Sequence, residues 1–219
     1  MADFLTRSNV AVAGRVTGNR DLITSSSMLR WVAEGKVFGC GVGVENAGID
    51  GAAALADVTP TFALVAPSSA STFVLPILVR IGVHTEGGAL AQIMVGVTRA
   101  AADCATAMTI SGTAFTAPQN MDSGNTAAPQ SSCLYTCTAS ALTNADYVML
   151  DLANAADNIV SGTGGVVFNR GTTYELDLIK TPHLLRSGAA LLVWSVTGTT
   201  DTKNIPYFVF AELTADDLY

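Results

Sequence analysis

His84 and His183 are the only two histidines in the chain. A Ser-His-Asp relay would need one of them beside an activated serine, because a hydroxyl becomes a nucleophile only when a base takes its proton. No Gly-x-Ser-x-Gly elbow occurs, and Ser111 and Ser195 sit in ordinary strand or turn contexts. His84 falls in the turn His84–Gly88 and His183 follows Pro182. The pattern does not point to a hydrolase.

The four cysteines, Cys40, Cys104, Cys133 and Cys137, are sparse for a disulfide scaffold. Cys133 and Cys137 lie four apart in an extended stretch, which places them on one face. In a strand that spacing spans about 13 Å, too far for a bridge between them. The thiols read as free and buried, in a protein made in a reducing cytoplasm. Zinc would need Cys and His at short ligand spacings, and Cys133-x3-Cys137 with a distant His84 or His183 fits poorly.

Calcium would need several converging oxygens. Asp122-Ser-Gly-Asn125, and Asp151 with Asn154 and Asp157, supply such residues without an EF-hand pattern, and surface turns account for both. Glu175 and Asp177 share one face of a strand and read as its solvent side, not as the carboxylate pair of a glycosidase. In Lys36–Val44 the glycines Gly39, Gly41 and Gly43 fall on one face. This is not Gly-x-Gly-x-x-Gly opening a helix, so the reading is a strand whose bare face admits a close neighbour. No catalytic, cofactor-binding or metal residue is assigned, no cofactor is expected, and the chain reads as non-enzymatic.

The elements that carry these residues are strands. Val, Leu, Trp, Tyr and Phe runs bounded by turn residues recur at Thr59–Val65, Thr72–Val83, Ala89–Thr98, Cys133–Ser140, Tyr147–Leu152, Gly165–Phe168 and Tyr174–Ile179. The last apolar pair, Leu191–Val196 and Tyr207–Glu212, reads as a central hairpin around a surface loop at Thr197–Asn204. Thr72–Val83 and Ala89–Thr98 read as a second paired unit, with Pro76 marking an edge or a bulge. Ser111–Ser132 reads as a long polar loop. Ser25–Glu34 fits either a short helix starting near Ser27 or a lead-in to a strand. The expected fold is all-β, an antiparallel β-sandwich or jelly roll over residues 35–219, preceded by an extended N-terminal arm over 1–34.

Of the 219 residues 49% are hydrophobic and 13% charged, where soluble domains average about 25% charged. Much of the outer surface must then be Ala, Ser, Thr and Gly, or else be covered by other subunits, and the second reading is preferred. The net charge of −7 argues against nucleic acid as main partner. Residues 1–30 carry four arginines against two aspartates, a mildly basic arm on an acidic body. No signal-peptide pattern opens the chain, and no run of about 18 apolar residues marks a membrane span.

The order of segments resembles the jelly-roll, tumour-necrosis-factor-like virion proteins of tailed bacteriophages, which often form trimers. Three stretches carry the resemblance: Ser68–Thr98 with its two long strands, the Thr/Ala/Pro/Asn/Gly segment Ser111–Cys133, and the ending Leu184–Glu212. The resemblance implies a virion structural protein assembled in the host cytoplasm, most simply a capsid decoration or cement protein. It would self-associate, as a homotrimer, and contact the major capsid protein through its arm and loops. The long helix and extended loop of the usual phage shell fold are missing, as is a coiled-coil or collagen-like stalk. A carbohydrate-binding or adhesion module (a fibre head) is the alternative on the same fold, with Tyr135, Asp122 and Asn125 as its candidate contacts.

Overall fold

The structure, a computed structural model, describes residues 4–5, 11–12, 27–42, 48–85, 92–104, 106–115, 117–154, 173–179, 181–196 and 203–218. The expected strand at Gly165–Phe168, the loop residues 197–202 and Asp157 lie outside them.

The strands in chain order are β1 (Phe4–Leu5), β2 (Ala11–Val12), β3 (Val37–Gly41), β4 (Ile49–Asp50), β5 (Phe62–Val65), β6 (Phe73–Thr85) and β7 (Gln92–Thr98). After a 3-10 turn at Ala101–Asp103 follow β8 (Thr109–Ala114), β9 (Gln119–Asn120), β10 (Ser132–Ser140), β11 (Tyr147–Asn154), β12 (Thr173–Asp177), β13 (Ala190–Val196) and β14 (Lys203–Leu213). Two short helices, α1 (Ser27–Ala33) and α2 (Ala215–Leu218), complete the description.

One sheet runs β12-β6-β14-β3-β9, with β4 beside β14, and the other runs β11-β7-β13-β5-β10-β8; every pairing within them is antiparallel. The fold is an all-β sandwich. The eight principal strands β3, β5, β6, β7, β11, β12, β13 and β14 divide between the sheets in the crossed order of a jelly roll. β1 and β2 pair with each other.

Two expected hairpins are not hairpins. β13 and β14 occupy opposite sheets, and so do β6 and β7. Each of the four is interior to its sheet, so the chain crosses the sandwich where a turn between neighbours was expected. An apolar strand has the same pattern whether its sequence neighbour pairs beside it or packs opposite it. Pro76 sits at a bulge: the register slips between Leu78 opposite Val209 and Pro76 opposite Phe210. There β6 has no β12 neighbour, whose pairing covers Leu78–Gly82, so the missing N–H costs no ladder bond on that side.

The inter-sheet core gathers Phe38, Phe62, Leu64, Val79, Ile81, Ile93, Leu191, Val193, Phe208 and Phe210, all buried. Phe115 stacks on Phe208 with centroids 5.6 Å apart and meets Phe62 edge-on at 6.3 Å. Such contacts add about 0.5–1.5 kcal/mol beyond burial. Phe115 belongs to the stretch expected to be a polar loop. That expectation is corrected: Ser111–Ala114 lies in β8, Phe115 enters the core, and β9 pairs with β3.

β13 is buried on both faces, which explains its unbroken apolar run. Leu191 and Val193 face the other sheet, while Ala190, Leu192 and Trp194 join Met94, Cys104, Met108 and Leu142 in a second cluster. On the opposite sheet, Met28, Trp31 and Val32 of α1 pack with Val37, Ile77, Ala211 and Leu213. Of the two readings of this stretch the helix holds, over Ser27–Ala33, with its apolar side seated on the sheet.

Cys133 and Cys137 do not share a face. Cys133 points into the inter-sheet core and Cys137 into the second cluster. Between them Thr136 takes a φ of 50° and the register of β10 slips, which inverts the alternation.

Candidate functional site

The bare face of β3 is filled as expected. A Cβ on Gly39 would stand 2.6 Å from the Tyr207 hydroxyl, and one on Gly41 would stand 3.4 Å from the Tyr207 ring. Tyr207 therefore lies across the two glycines. With Met121, Gln119 and Ala117 it borders a groove of about 320 Å³ on this sheet's outer side. The groove is mostly apolar. Its amide is already engaged, since Gln119 Nε2 donates to the Ala117 carbonyl at 3.0 Å. Along the same face Tyr207 is opposite Arg80 and Arg80 opposite Glu175. Arg80 donates to Glu175 Oε2 from Nε at 2.9 Å and from Nη2 at 2.7 Å, both side chains being half exposed. Glu175 and Asp177 are exposed on β12, the solvent side read from their alternation.

The residues weighed for metal binding are engaged in turns and cross-links. Asp122 Oδ1 accepts the Gly124 N–H at 3.0 Å and Asn125 Oδ1 accepts the Ala127 N–H at 2.8 Å. Asp151 Oδ2 accepts the Tyr174 hydroxyl at 2.8 Å, joining β11 of one sheet to β12 of the other. Burial, then the Asp151 hydrogen bond and charge, hold the Tyr174 phenol well above its usual range. Among the described residues, no three His, Cys, Asp or Glu stand together in a metal-binding group. His183 is half-buried in the segment leading to Leu185, and His84 stands near the end of β6.

Ser195 is fully buried and bonded to Asn204. Tyr135 packs on Phe115 at 6.1 Å instead of standing out as a platform. Tyr147 donates to Asp57 Oδ1 at 3.0 Å, and with the Asn144 amide turned its nitrogen donates to Asp57 and to the Tyr147 oxygen. Burial first, then Asp57, push the Tyr147 phenol up to about 12. These polar groups are engaged with one another away from the groove.

Sequence reasoning missed a different feature. Among the described residues β11 pairs with β7 on one side and ends its sheet on the other. On it Val148, Met149 and Leu152 are 65%, 53% and 54% exposed. The register slips between Met149 and Asp151, so Leu150 turns to the core while apolar side chains remain outside. Apolar residues at both parities of Tyr147–Leu152 were the available signal of that bulge.

No family model, curated protein or solved structure matches this chain. Its own surface therefore carries the functional reading.

Proposed function

We propose that the chain is a structural protein of a bacteriophage virion, a capsid decoration or cement protein. It self-associates as a homotrimer and stabilises contacts between shell subunits, with no catalytic role. The observation that supports this most is edge strand β11, with Val148, Met149 and Leu152 exposed along it. Soluble proteins normally guard an edge with charge, proline or cover, because its free N–H and C=O groups template pairing. The only charged residue of β11 is Asp151, and its carboxylate is engaged by Tyr174. Burying such an edge against a copy or a shell subunit combines strand addition with removal of apolar surface from water.

The carbohydrate-binding alternative has less support, because Tyr135, Asp122 and Asn125 are committed to packing and turns. Two measurements test the proposal. Sedimentation of the purified chain is expected to give a trimer at micromolar concentration, and low-resolution imaging of particles is expected to place it at joints between shell subunits. A stable monomer with no density on the particle overturns it.

A further inference from the structure

Cys40 and Cys133 face each other across the sandwich. Cys40 belongs to β3 and Cys133 to β10, in opposite sheets, and both point into the inter-sheet core. Their sulfurs are 2.6 Å apart, closer than two unbonded sulfurs ordinarily pack. Each strand is fixed on both sides. Cys40 is opposite Phe208 on β14, Cys133 is opposite Leu64 on β5, and β9 and β8 close the outer flanks. Neither strand can slide to relieve the approach without breaking two ladders.

We propose that Cys40 and Cys133 are a thiol pair built to form a disulfide that pins the two sheets together. The oxidant is a small-molecule disulfide of the glutathione class. One cysteine, as thiolate, attacks a sulfur of the oxidant, forms a mixed disulfide and expels one small thiolate. The second cysteine's thiolate then attacks the protein sulfur of that mixed disulfide and expels the other. The two protein thiols lose two electrons and two protons, and the oxidant becomes two thiols. Both sulfurs are buried, and the contact with the Cys40 sulfur, reinforced by burial, suppresses the Cys133 thiolate. The exchange therefore runs while the chain folds and the core is open, and the finished bond is shielded from reductant. Cys137, raised to about 12 by burial on the other face of the same sheet, is no competitor in the core.

The test is to refold the full chain in a glutathione redox buffer, denature it without reductant, alkylate with iodoacetamide and weigh it. Two alkyl groups instead of four are expected. Chymotrypsin, which cuts after Phe115 and Tyr135, separates Cys104, Cys133 and Cys137. The linked peptide should join Cys40 to Cys133. The bond closes a loop of more than ninety residues, so the oxidised protein should melt about 10 °C above the reduced one. In the C104A/C137A variant no alkyl group is expected instead of two, and the same linkage and melting difference should persist. Four alkylated cysteines after refolding, or a link through Cys104 or Cys137, overturns the proposal.

Discussion

The Ser195 hydroxyl donates to the Asn204 side-chain oxygen at 3.2 Å, with both residues shielded from solvent. Ser195 lies on β13 and Asn204 on β14, so the bond ties the two sheets together near the point where the chain crosses between them. Two further bonds fix the geometry. The Ser195 N–H donates to Thr61 Oγ1 at 2.9 Å, and the Asn204 amide nitrogen donates to the Ile49 carbonyl at 3.4 Å. S195A leaves the Asn204 oxygen buried without its donor and should cost about 1–3 kcal/mol. The double variant S195A/N204L removes both partners and should lose less than the sum of the single losses. Urea midpoints of the four proteins give the coupling. Strict additivity would mean that the bond contributes nothing.

Thr136 is the pivot that separates Cys133 from Cys137. A β-branched residue at φ 50° occupies backbone space that glycine enters freely, at a strain of about 1–3 kcal/mol. T136G should therefore stabilise the protein by about 1 kcal/mol, the relief of strain outweighing the entropy that glycine adds to the unfolded chain. T138G, in the same strand beyond the bulge, has no such strain to relieve and should destabilise by about 0.5–1 kcal/mol. Opposite signs in thermal melts are expected, and a loss in both would put Thr136 among ordinary strand residues.

The strands were legible in the sequence because β-branched and aromatic runs stand between turn residues. Their partners were not. Leu191–Val196 and Tyr207–Glu212 look like a hairpin by composition, yet one pairs with β5 and β7 and the other with β3 and β6. Alternation reports which side chains are inside, and in a sandwich both sheets face the same inside. The bare glycine face of β3 could be read because a missing side chain is itself the signal, although its occupant, Tyr207, lies far along the chain. Phe115 was concealed by its polar surroundings, and the Cys133–Cys137 inversion by a bulge that nothing in their spacing marks.

Lys36 and Asp217 join the start of β3 to the C-terminal α2. Burial alone would raise the Asp217 carboxyl. The Lys36 ammonium and the Thr214 N–H and hydroxyl outweigh it, so the group titrates below the ordinary range. Burial would lower Lys36, but Asp217 and Glu34 outweigh it and hold the ammonium above its ordinary value. The depressed acid gives stability that is complete above the unfolded aspartate value of about 3.9 and disappears as pH falls through the folded one. The raised base gives stability that is complete below about 10.4 and disappears as pH rises through its folded value. The stability gap between wild type and D217N should therefore be flat from about pH 5 to 9 and close toward both extremes. Denaturant titrations across that range check the shape, and a gap unchanged at pH 3 would refute the pairing.

Leu152 separates assembly from folding. Its side chain is 54% exposed on the edge strand, and its backbone pairs with Met94 of β7. L152K leaves that pairing intact and puts a charge on the edge, the device by which natural sheets refuse new partners. A surface change of this kind is expected to shift stability by no more than about 0.5 kcal/mol. Sedimentation of L152K should then show monomer under conditions where the parent chain is expected to sediment as the proposed trimer, with the melting temperature nearly unchanged. The same charge at Ile179, 53% exposed but outside β11, should leave assembly as it was. If L152K sediments as the parent chain does, β11 is not the contact.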